Sequence, residues 1–368
     1  MQGRYLLLPL LADESLMWVL FGLFVGVALA IDLGAFRPLV KRLRPGRTPA
    51  AQSEEEGGDE EHIRQSAFRQ GLTWTIVWIG LAAVFAFIIF AQMGYDKMLE
   101  FVTGYAVEKS LSVDNMFVFL LIFSSLGVPH ALQHRVLSVG ILSAIAMRIP
   151  LIIVGVSLLE NFHWMIYVFG GLLILTAARM IVQKKEKKIE IEKNIAVRLL
   201  KKVMPVSTEL HGNKFLATVN GVIYATPLLV ALAIVEMTDL VFAIDSIPAV
   251  LAITTDQFIV ITSNIFAILG LRSLYFLLAG VMEKFHYLKP ALVALLLFIG
   301  VKMVASDVFH LPVQASLAII GAILGGALVL SVARARREQL AAAHHHHHHH
   351  HRSGHSHDGG SGSSRQEN

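Results

Sequence analysis

The sequence contains no cysteine among its 368 residues. This absence excludes disulfide bonds, iron–sulfur clusters and thiolate metal sites, so any metal ion must be met by oxygen, imidazole or methionine sulfur. Charged residues are also scarce, at 16% against 55% hydrophobic residues, and this balance excludes an ordinary soluble protein. The net charge of +4 does not indicate nucleic-acid binding, because the basic residues lie mostly in loops beside apolar runs.

The apolar residues form runs of about twenty, the length that a helix needs to cross ~30 Å of hydrocarbon. The pattern predicts an all-α polytopic membrane protein with about nine transmembrane helices. The first run has only Arg4 ahead of it and no small-residue cleavage site, so we interpret it as a retained span. The predicted spans are residues 15–36, 70–92, 99–127, 134–159, 163–182, 219–252, 257–282, 288–309 and 312–333.

The loops predict the orientation and the domain organisation. Lysine and arginine cluster after spans 1, 5, 7 and 9, whereas the other connections carry few positive charges. Because such clusters remain in the cytoplasm, the N-terminus is predicted outside and the C-terminus inside. The predicted units are an N-terminal span (1–36), a basic and acidic cytoplasmic loop (37–69), a transmembrane core (70–335) and a disordered, His-rich cytoplasmic tail (336–368). The histidine run is either a native metal-buffering tail or an engineered tag.

Spans 3–5 and 6–8 are predicted to form an inverted repeat, over residues 99–182 and 219–309. Five positions of the first unit match five of the second at a constant offset of 123 residues: Glu160, Phe162, His163, Arg179 and Met180 with Glu283, Phe285, His286, Lys302 and Met303. Each unit has three spans, so the two units enter the membrane in opposite directions. Inverted repeats are typical of secondary transporters, whose binding sites lie near the midplane where the repeats meet.

Acidic residues inside the predicted spans form the candidate site. A charged side chain at the bilayer centre costs roughly 2.5–3.5 kcal/mol, so intramembrane acids indicate function. Clustered carboxylates suit Mg²⁺, Ca²⁺ or Mn²⁺ and disfavour Cu⁺ and Zn²⁺. The candidate metal ligands are Glu108, Asp114 and Asn115 in span 3 and Glu236, Asp239, Asp245 and Ser246 in span 6.

The geometry of span 6 raises a difficulty for Asp245. At about 100° per residue, Glu236 and Asp239 share a helix face, whereas Asp245 lies about 180° from Glu236. Pro248 removes a helix hydrogen bond near Ile244, so we expect a helix break that turns Asp245 inward. The alternative interpretation is structural: each acid pairs with a basic residue, for which the candidates are Lys109, Arg148 and Arg272.

Four segments, GYAVEKSLSVDNMFVF, VIYATPLLV, VEMTDLVFAIDSIPAV and TSNIFAILGLRSLYFLL, resemble the TerC/Alx family of integral membrane proteins, and in particular its bacterial Alx-type branch. The resemblance covers roughly residues 15–335 and leaves out the acidic linker and the tail. It implies a bacterial plasma-membrane protein of a family associated with manganese efflux, metal supply to exported enzymes, and tellurium resistance or an alkaline-pH response. It also implies that the five acids above are the family's intramembrane acids.

The leading hypothesis is a non-enzymatic divalent-cation exporter working by alternating access, with protons as a candidate coupling ion. Mn²⁺ is the expected cargo by resemblance alone, and no tightly bound cofactor is expected. The expected partners are the lipid bilayer and the metal ion, with no protein partner identified. One alternative is a membrane adaptor that supplies metal to exported proteins. Another is an intramembrane aspartyl protease using Asp114 and Asp245, although these aspartates follow SLSV and VFAI instead of Gly-x-Gly.

Overall fold

The computed structural model describes residues 14–32, 59–183, 190–279 and 287–352. This part of the chain is mostly α-helical, with one short hairpin between two of the helices. The helices are α1 (Glu14–Asp32), α2 (Asp59–Met93), α3 (Tyr95–Leu126), α4 (His130–Asn161), α5 (Met165–Val182), α6 (Ile195–Val203), α7 (Pro227–Leu251), α8 (Gln257–Ile268), α9 (Leu271–Ala279), α10 (Leu288–Val304) and α11 (Val313–Arg352). The strands are β1 (Leu216–Val219) and β2 (Val222–Ala225).

Six of these helices are long and apolar enough to cross a membrane: α1, α2, α4, α5, α7 and α11. The pair α8–α9 adds a seventh span if the two helices, bent by 42°, count as one. Helix α3 is 32 residues long but carries several charges, and α10 has only 17 residues. The described residues therefore support a polytopic α-helical membrane protein, while the count of nine spans and the inverted repeat stay predictions.

The sixth predicted span is shorter than the sequence indicated. Residues 219–226 were predicted to be the start of this helix, but they belong to a hairpin in which β1 and β2 pair antiparallel, with Val219 opposite Val222. Asn220 and Gly221 form the turn with φ angles of 51° and 79°, as a two-residue hairpin turn of type I′ requires. Helix α7 then begins at Pro227, whose missing N–H is tolerated in a first helical turn.

Two other segments differ from the prediction. Residues 59–69, assigned to the cytoplasmic loop, already belong to α2, while 33–58 lie outside the described residues. The tail was predicted to be disordered from residue 336, but α11 continues to Arg352. Arginine, glutamate, glutamine, leucine and alanine favour helix in this stretch, and Arg334 pairs with Glu338 at 2.9 Å one turn later.

Tight packing of small residues joins α5 to α10. A methyl group built on Gly170 would lie 2.9 Å from the carbonyl oxygen of Gly300, and one built on Gly300 would lie 2.9 Å from that of Gly170. Such close approach of backbones is a common way for membrane helices to associate.

A second contact joins the start of α5 to the segment that follows α10. The hydroxyl of Tyr167 and the ring of His163 form hydrogen bonds with the carboxylate of Asp307, and these bonds lower the pKa of that carboxyl.

The break between α8 and α9 is built around Gly270. Its φ is +80°, a left-handed conformation that favours glycine, and an added methyl group would lie 2.5 Å from Cδ1 of Trp78. The break thus depends on a residue without a side chain, packed under a buried indole of α2.

We expect Gly270→Ala to lower the free energy of unfolding by about 2 kcal/mol or more. A non-glycine residue in the left-handed region costs about 1–2 kcal/mol, and overpacking against Trp78 adds to that. The measurement is the thermal unfolding midpoint of the purified protein in detergent. Gly80→Ala in α2 is the matched control, because nothing lies within 4 Å of the added methyl and alanine favours helix. Equal midpoints for both variants would contradict this account of the break.

Candidate functional site

A fully buried arginine lies at the centre of the candidate site. Arg148 of α4 is 1% exposed, and its guanidinium contacts three helices. It donates to Oδ1 of Asp239 in α7 at 3.1 Å and, through Nε, to Oδ2 of the same carboxylate at 3.5 Å. It also donates to Glu108 of α3 and, at 2.8 Å, to the amide oxygen of Asn264 in α8. Four helices therefore meet at one positive charge and two carboxylates.

The charges at this cluster do not cancel. Glu108 is 0% exposed and Asp239 is 6% exposed, and one guanidinium faces both. If both carboxylates are ionised, the cluster carries one net negative charge. Buried charges are costly unless each is paired and hydrogen-bonded, so an uncompensated negative charge lowers the stability of the folded protein. The same negative charge attracts a cation to the cluster.

Hydrogen-bonding capacity also remains unused around Arg148. The second carboxylate oxygen of Glu108 and the amide nitrogen of Asn264 are buried and have no hydrogen-bond partner among the described residues. The hydroxyls of Ser112 in α3 and Ser246 in α7, the two helices that carry these carboxylates, are also buried without a partner among the described residues. Native proteins satisfy nearly all buried polar atoms, so these four atoms have capacity to bind a water molecule, an ion or another polar group.

The remaining acids of α7 have separate surroundings. Glu236 lies against α4, where its Oε1 would be 3.2 Å from a methyl group built on Gly140. Asp245 instead accepts a hydrogen bond from the hydroxyl of Thr176 in α5, at 3.1 Å. Asp245 therefore does not join Glu108 and Asp239 around the arginine.

The expected helix break near Asp245 is wrong. Helix α7 runs unbroken from Pro227 to Leu251, and Pro248 lies in its last turn. A proline so close to the C-terminal end removes one internal hydrogen bond without interrupting the helix, and membrane helices tolerate this when neighbours surround them. Regular geometry then sends Asp245 to a face different from that of Asp239, as its spacing requires.

The three predicted charge partners play different roles. Arg148 pairs with two acids, as the structural alternative expected. Lys109 instead donates to the carbonyl oxygens of Ala267 and Leu269, at 3.1 and 3.3 Å, where α8 ends. A cation suits the unpaired carbonyls of a helix C-terminus. Arg272 donates to the hydroxyl of Ser138 in α4 at 3.3 Å.

The predicted set of seven metal ligands is only partly assembled. Asn115 is buried in α3, and Asp114 beside it has a helical backbone, but its side chain lies outside the described residues. Among the side chains that the structure describes, no three carboxylates or histidines are grouped closely enough to hold a metal ion. A metal site composed of these residues remains a prediction.

One contributor to the site was missed by sequence reasoning. Thr176 donates a hydrogen bond to Asp245, yet it is a single hydroxyl in an apolar run. Hydroxyls in membrane helices usually bond to their own backbone, as Thr176 also does with Leu172 at 3.0 Å, so their sequence signal is weak.

The comparisons with known proteins agree on one family. The model of the integral membrane protein TerC family matches residues 93–339. An "Uncharacterized membrane protein STKORF319" of Myxococcus xanthus is 44% identical over 320 residues, which cover 87% of this chain and 93% of that protein. No solved structure matches the chain.

Two further relatives bear the name "Putative membrane-bound redox modulator Alx". The one from Photorhabdus laumondii is 42% identical over 274 residues, 72% of this chain and 85% of the relative. The one from Escherichia coli K12 is 39% identical over 317 residues, 84% of this chain and 92% of the relative. The family model matches most of the chain, and the alignments cover most of the length of each relative. The resemblance found in the sequence is therefore confirmed. The chain belongs to the TerC family of integral membrane proteins.

Proposed function

We propose that this protein exports a hard divalent cation, Mn²⁺, across the bacterial plasma membrane and is not an enzyme. The observation that carries the proposal is the convergence of Glu108 and Asp239 on Arg148, with a buried carboxylate oxygen of Glu108 that has no partner among the described residues. Oxygen ligands and negative charge favour Mg²⁺, Ca²⁺ and Mn²⁺ over softer ions. The choice of Mn²⁺ among these rests on the family resemblance.

In the proposed cycle Arg148 acts as a tethered substitute for the cargo. When no metal is bound, its guanidinium neutralises part of the charge on Glu108 and Asp239. An arriving divalent cation brings twice the charge of the guanidinium and displaces it from the carboxylates. When the cation leaves, the arginine returns, so the emptied site does not hold two unpaired buried charges.

Protons are the proposed coupling ion. A carboxylate loses its charge on protonation and with it most of its attraction for a metal ion. Protonation from the outside would therefore help to release the cation there, while deprotonation towards the cytoplasm would restore the site. The proposed orientation, with an external N-terminus, follows the distribution of lysine and arginine in the sequence.

Other functions have less support from the chain. An aspartyl protease would pair Asp114 with Asp245, but Asp245 bonds to Thr176 in another helix. The Alx relatives are named as a redox modulator, but a chain without cysteine offers no thiol–disulfide pair of its own. A metal-supplying adaptor shares the ion chemistry of an exporter and differs in needing a partner protein.

The test is metal flux with the purified protein as the only protein present. Liposomes that contain a Mn²⁺-quenched dye should lose fluorescence on Mn²⁺ addition only when the protein is reconstituted, and an imposed proton gradient should change the rate. An adaptor predicts the rate of empty liposomes, which would overturn the exporter proposal.

A further inference from the structure

Helix α6 is a short amphipathic helix in the connection between two spans, α5 and α7. It has nine residues and is capped at its N-terminus by Asn194, whose side-chain oxygen accepts a hydrogen bond from the backbone N–H of Ala196 at 2.9 Å. Ala196 and Val197 are buried in the same apolar core as Val230, which lies in the first turns of α7. The helix is therefore anchored at the end of a transmembrane span.

A stripe of apolar side chains on α6 is not covered by the described part of the protein. Ile195, Leu199 and Val203 are 63%, 48% and 78% exposed. Four residues advance a helix by about 40° beyond a full turn, so these three side chains lie within roughly 80° of one another. A nine-residue helix is far too short to span the bilayer, so this exposure is not that of a transmembrane surface.

Basic residues line the same helix. Arg198, Lys201 and Lys202 are exposed, and α6 contains no acid. None of the three forms an ion pair with another described residue, whereas the neighbouring Lys193 pairs with Glu190 at 2.8 Å. The combination of an apolar stripe and exposed cations fits a partner surface that has hydrocarbon next to negatively charged groups.

We propose that α6 lies in the headgroup layer of the membrane and binds anionic phospholipid. The stripe of Ile195, Leu199 and Val203 enters the upper acyl region, and the three cations contact lipid phosphates with their alkyl stems along the surface. The adjoining span already holds α6 at the membrane, so the helix needs no long apolar face of its own to bind. Lipid binding by α6 is independent of which ion the protein transports.

A membrane surface fits these observations better than a protein partner does. The anchor of α6 is the first part of α7, which is one end of a helix long and apolar enough to cross a membrane. Each lysine or arginine at an anionic surface contributes about a fivefold gain in binding. Three exposed cations in a nine-residue helix without an acid would instead repel the same surface of a second copy of the chain.

The experiment uses the absence of cysteine in the sequence, which makes Leu199→Cys a single labelling site. The variant carries a polarity-sensitive fluorophore and is reconstituted in phosphatidylcholine vesicles with or without phosphatidylglycerol. We expect a blue-shifted emission that becomes stronger with phosphatidylglycerol. The matched control is Glu209→Cys, an exposed position beyond α6, which should report water in both membranes.

Neutralising the cations by Arg198→Gln, Lys201→Gln and Lys202→Gln in the Leu199→Cys protein should abolish the effect of phosphatidylglycerol. Because these residues are exposed, the triple variant should fold normally. Three outcomes would overturn the proposal: a water-exposed probe at Leu199 in both membranes, a shift insensitive to phosphatidylglycerol, or a shift unchanged by the triple substitution. Disulfide cross-linking between unlabelled Leu199→Cys copies would instead assign the surface to self-association and also reject lipid binding.

Discussion

Arg148→Gln should lower the abundance of the protein in the membrane and its thermal stability more than any other single substitution at the site. The change removes the only described cation that contacts Glu108 and Asp239, and it leaves two carboxylates buried without a counter-charge. Breaking a buried ion pair by removing one partner costs roughly 3–5 kcal/mol. The measurement is membrane abundance together with the unfolding midpoint in detergent.

The decisive control for this prediction is a triple variant in which Arg148, Glu108 and Asp239 are all replaced by uncharged residues. Adding Glu108→Gln and Asp239→Asn to Arg148→Gln removes the orphaned charges, so stability should recover towards that of the wild type. Arg336→Gln, at an exposed position of α11, should have little effect. If Arg148→Gln is as abundant and stable as the wild type, the arginine does not hold these carboxylates together. If the triple variant stays as unstable as the single one, lost packing is the cause.

Asp239→Asn and Glu108→Gln should have the opposite signature: a folded, abundant protein with Mn²⁺ flux at the level of empty liposomes. Either change removes one carboxylate and leaves Arg148 paired with the other, so no charge is orphaned. The amide keeps the size and a hydrogen-bonding oxygen of the side chain but loses the charge that attracts a divalent cation.

Asp96→Asn provides the matched control for the flux measurement, because Asp96 is an exposed acid in the first turn of α3, the helix of Glu108. This variant should transport normally. Abundant Asp239→Asn and Glu108→Gln proteins with full Mn²⁺ flux would remove these two acids from the cargo pathway. Loss of abundance together with flux would assign them a structural role.

The sequence was sufficient to predict the class of the fold and part of the site. Intramembrane charges are rare enough to be informative one by one, so Glu108, Asp239 and Arg148 were identified before any contact was known. The predicted repeat led us to expect a binding site near the midplane, where the two units meet. The structure brings Glu108 and Asp239 together on one guanidinium.

Other features could not be predicted because they depend on neighbours in space. Pro248 was expected to break α7, but its effect depends on its distance from the helix end and on the packing around it. The Asn220–Gly221 turn was hidden within an apolar run, where the hydropathy of the surrounding residues outweighed the turn chemistry. The contact of Asp245 with Thr176 has no pattern along the chain that would reveal it.

The break at Gly270 has a consequence for how the helices around the site can move. Helix α4 is one rod of 32 residues, whereas α8–α9, its counterpart in the predicted repeat, is two rods of 12 and 9 residues joined at an angle. A continuous helix resists bending along its whole length, whereas a broken helix bends mainly at the break. The carbonyls of that joint accept hydrogen bonds from Lys109, the residue next to Glu108, so α3 holds the point at which α8–α9 bends. A displacement of Glu108 would therefore be transmitted through Lys109 to the joint and taken up by flexing of α8 against α9.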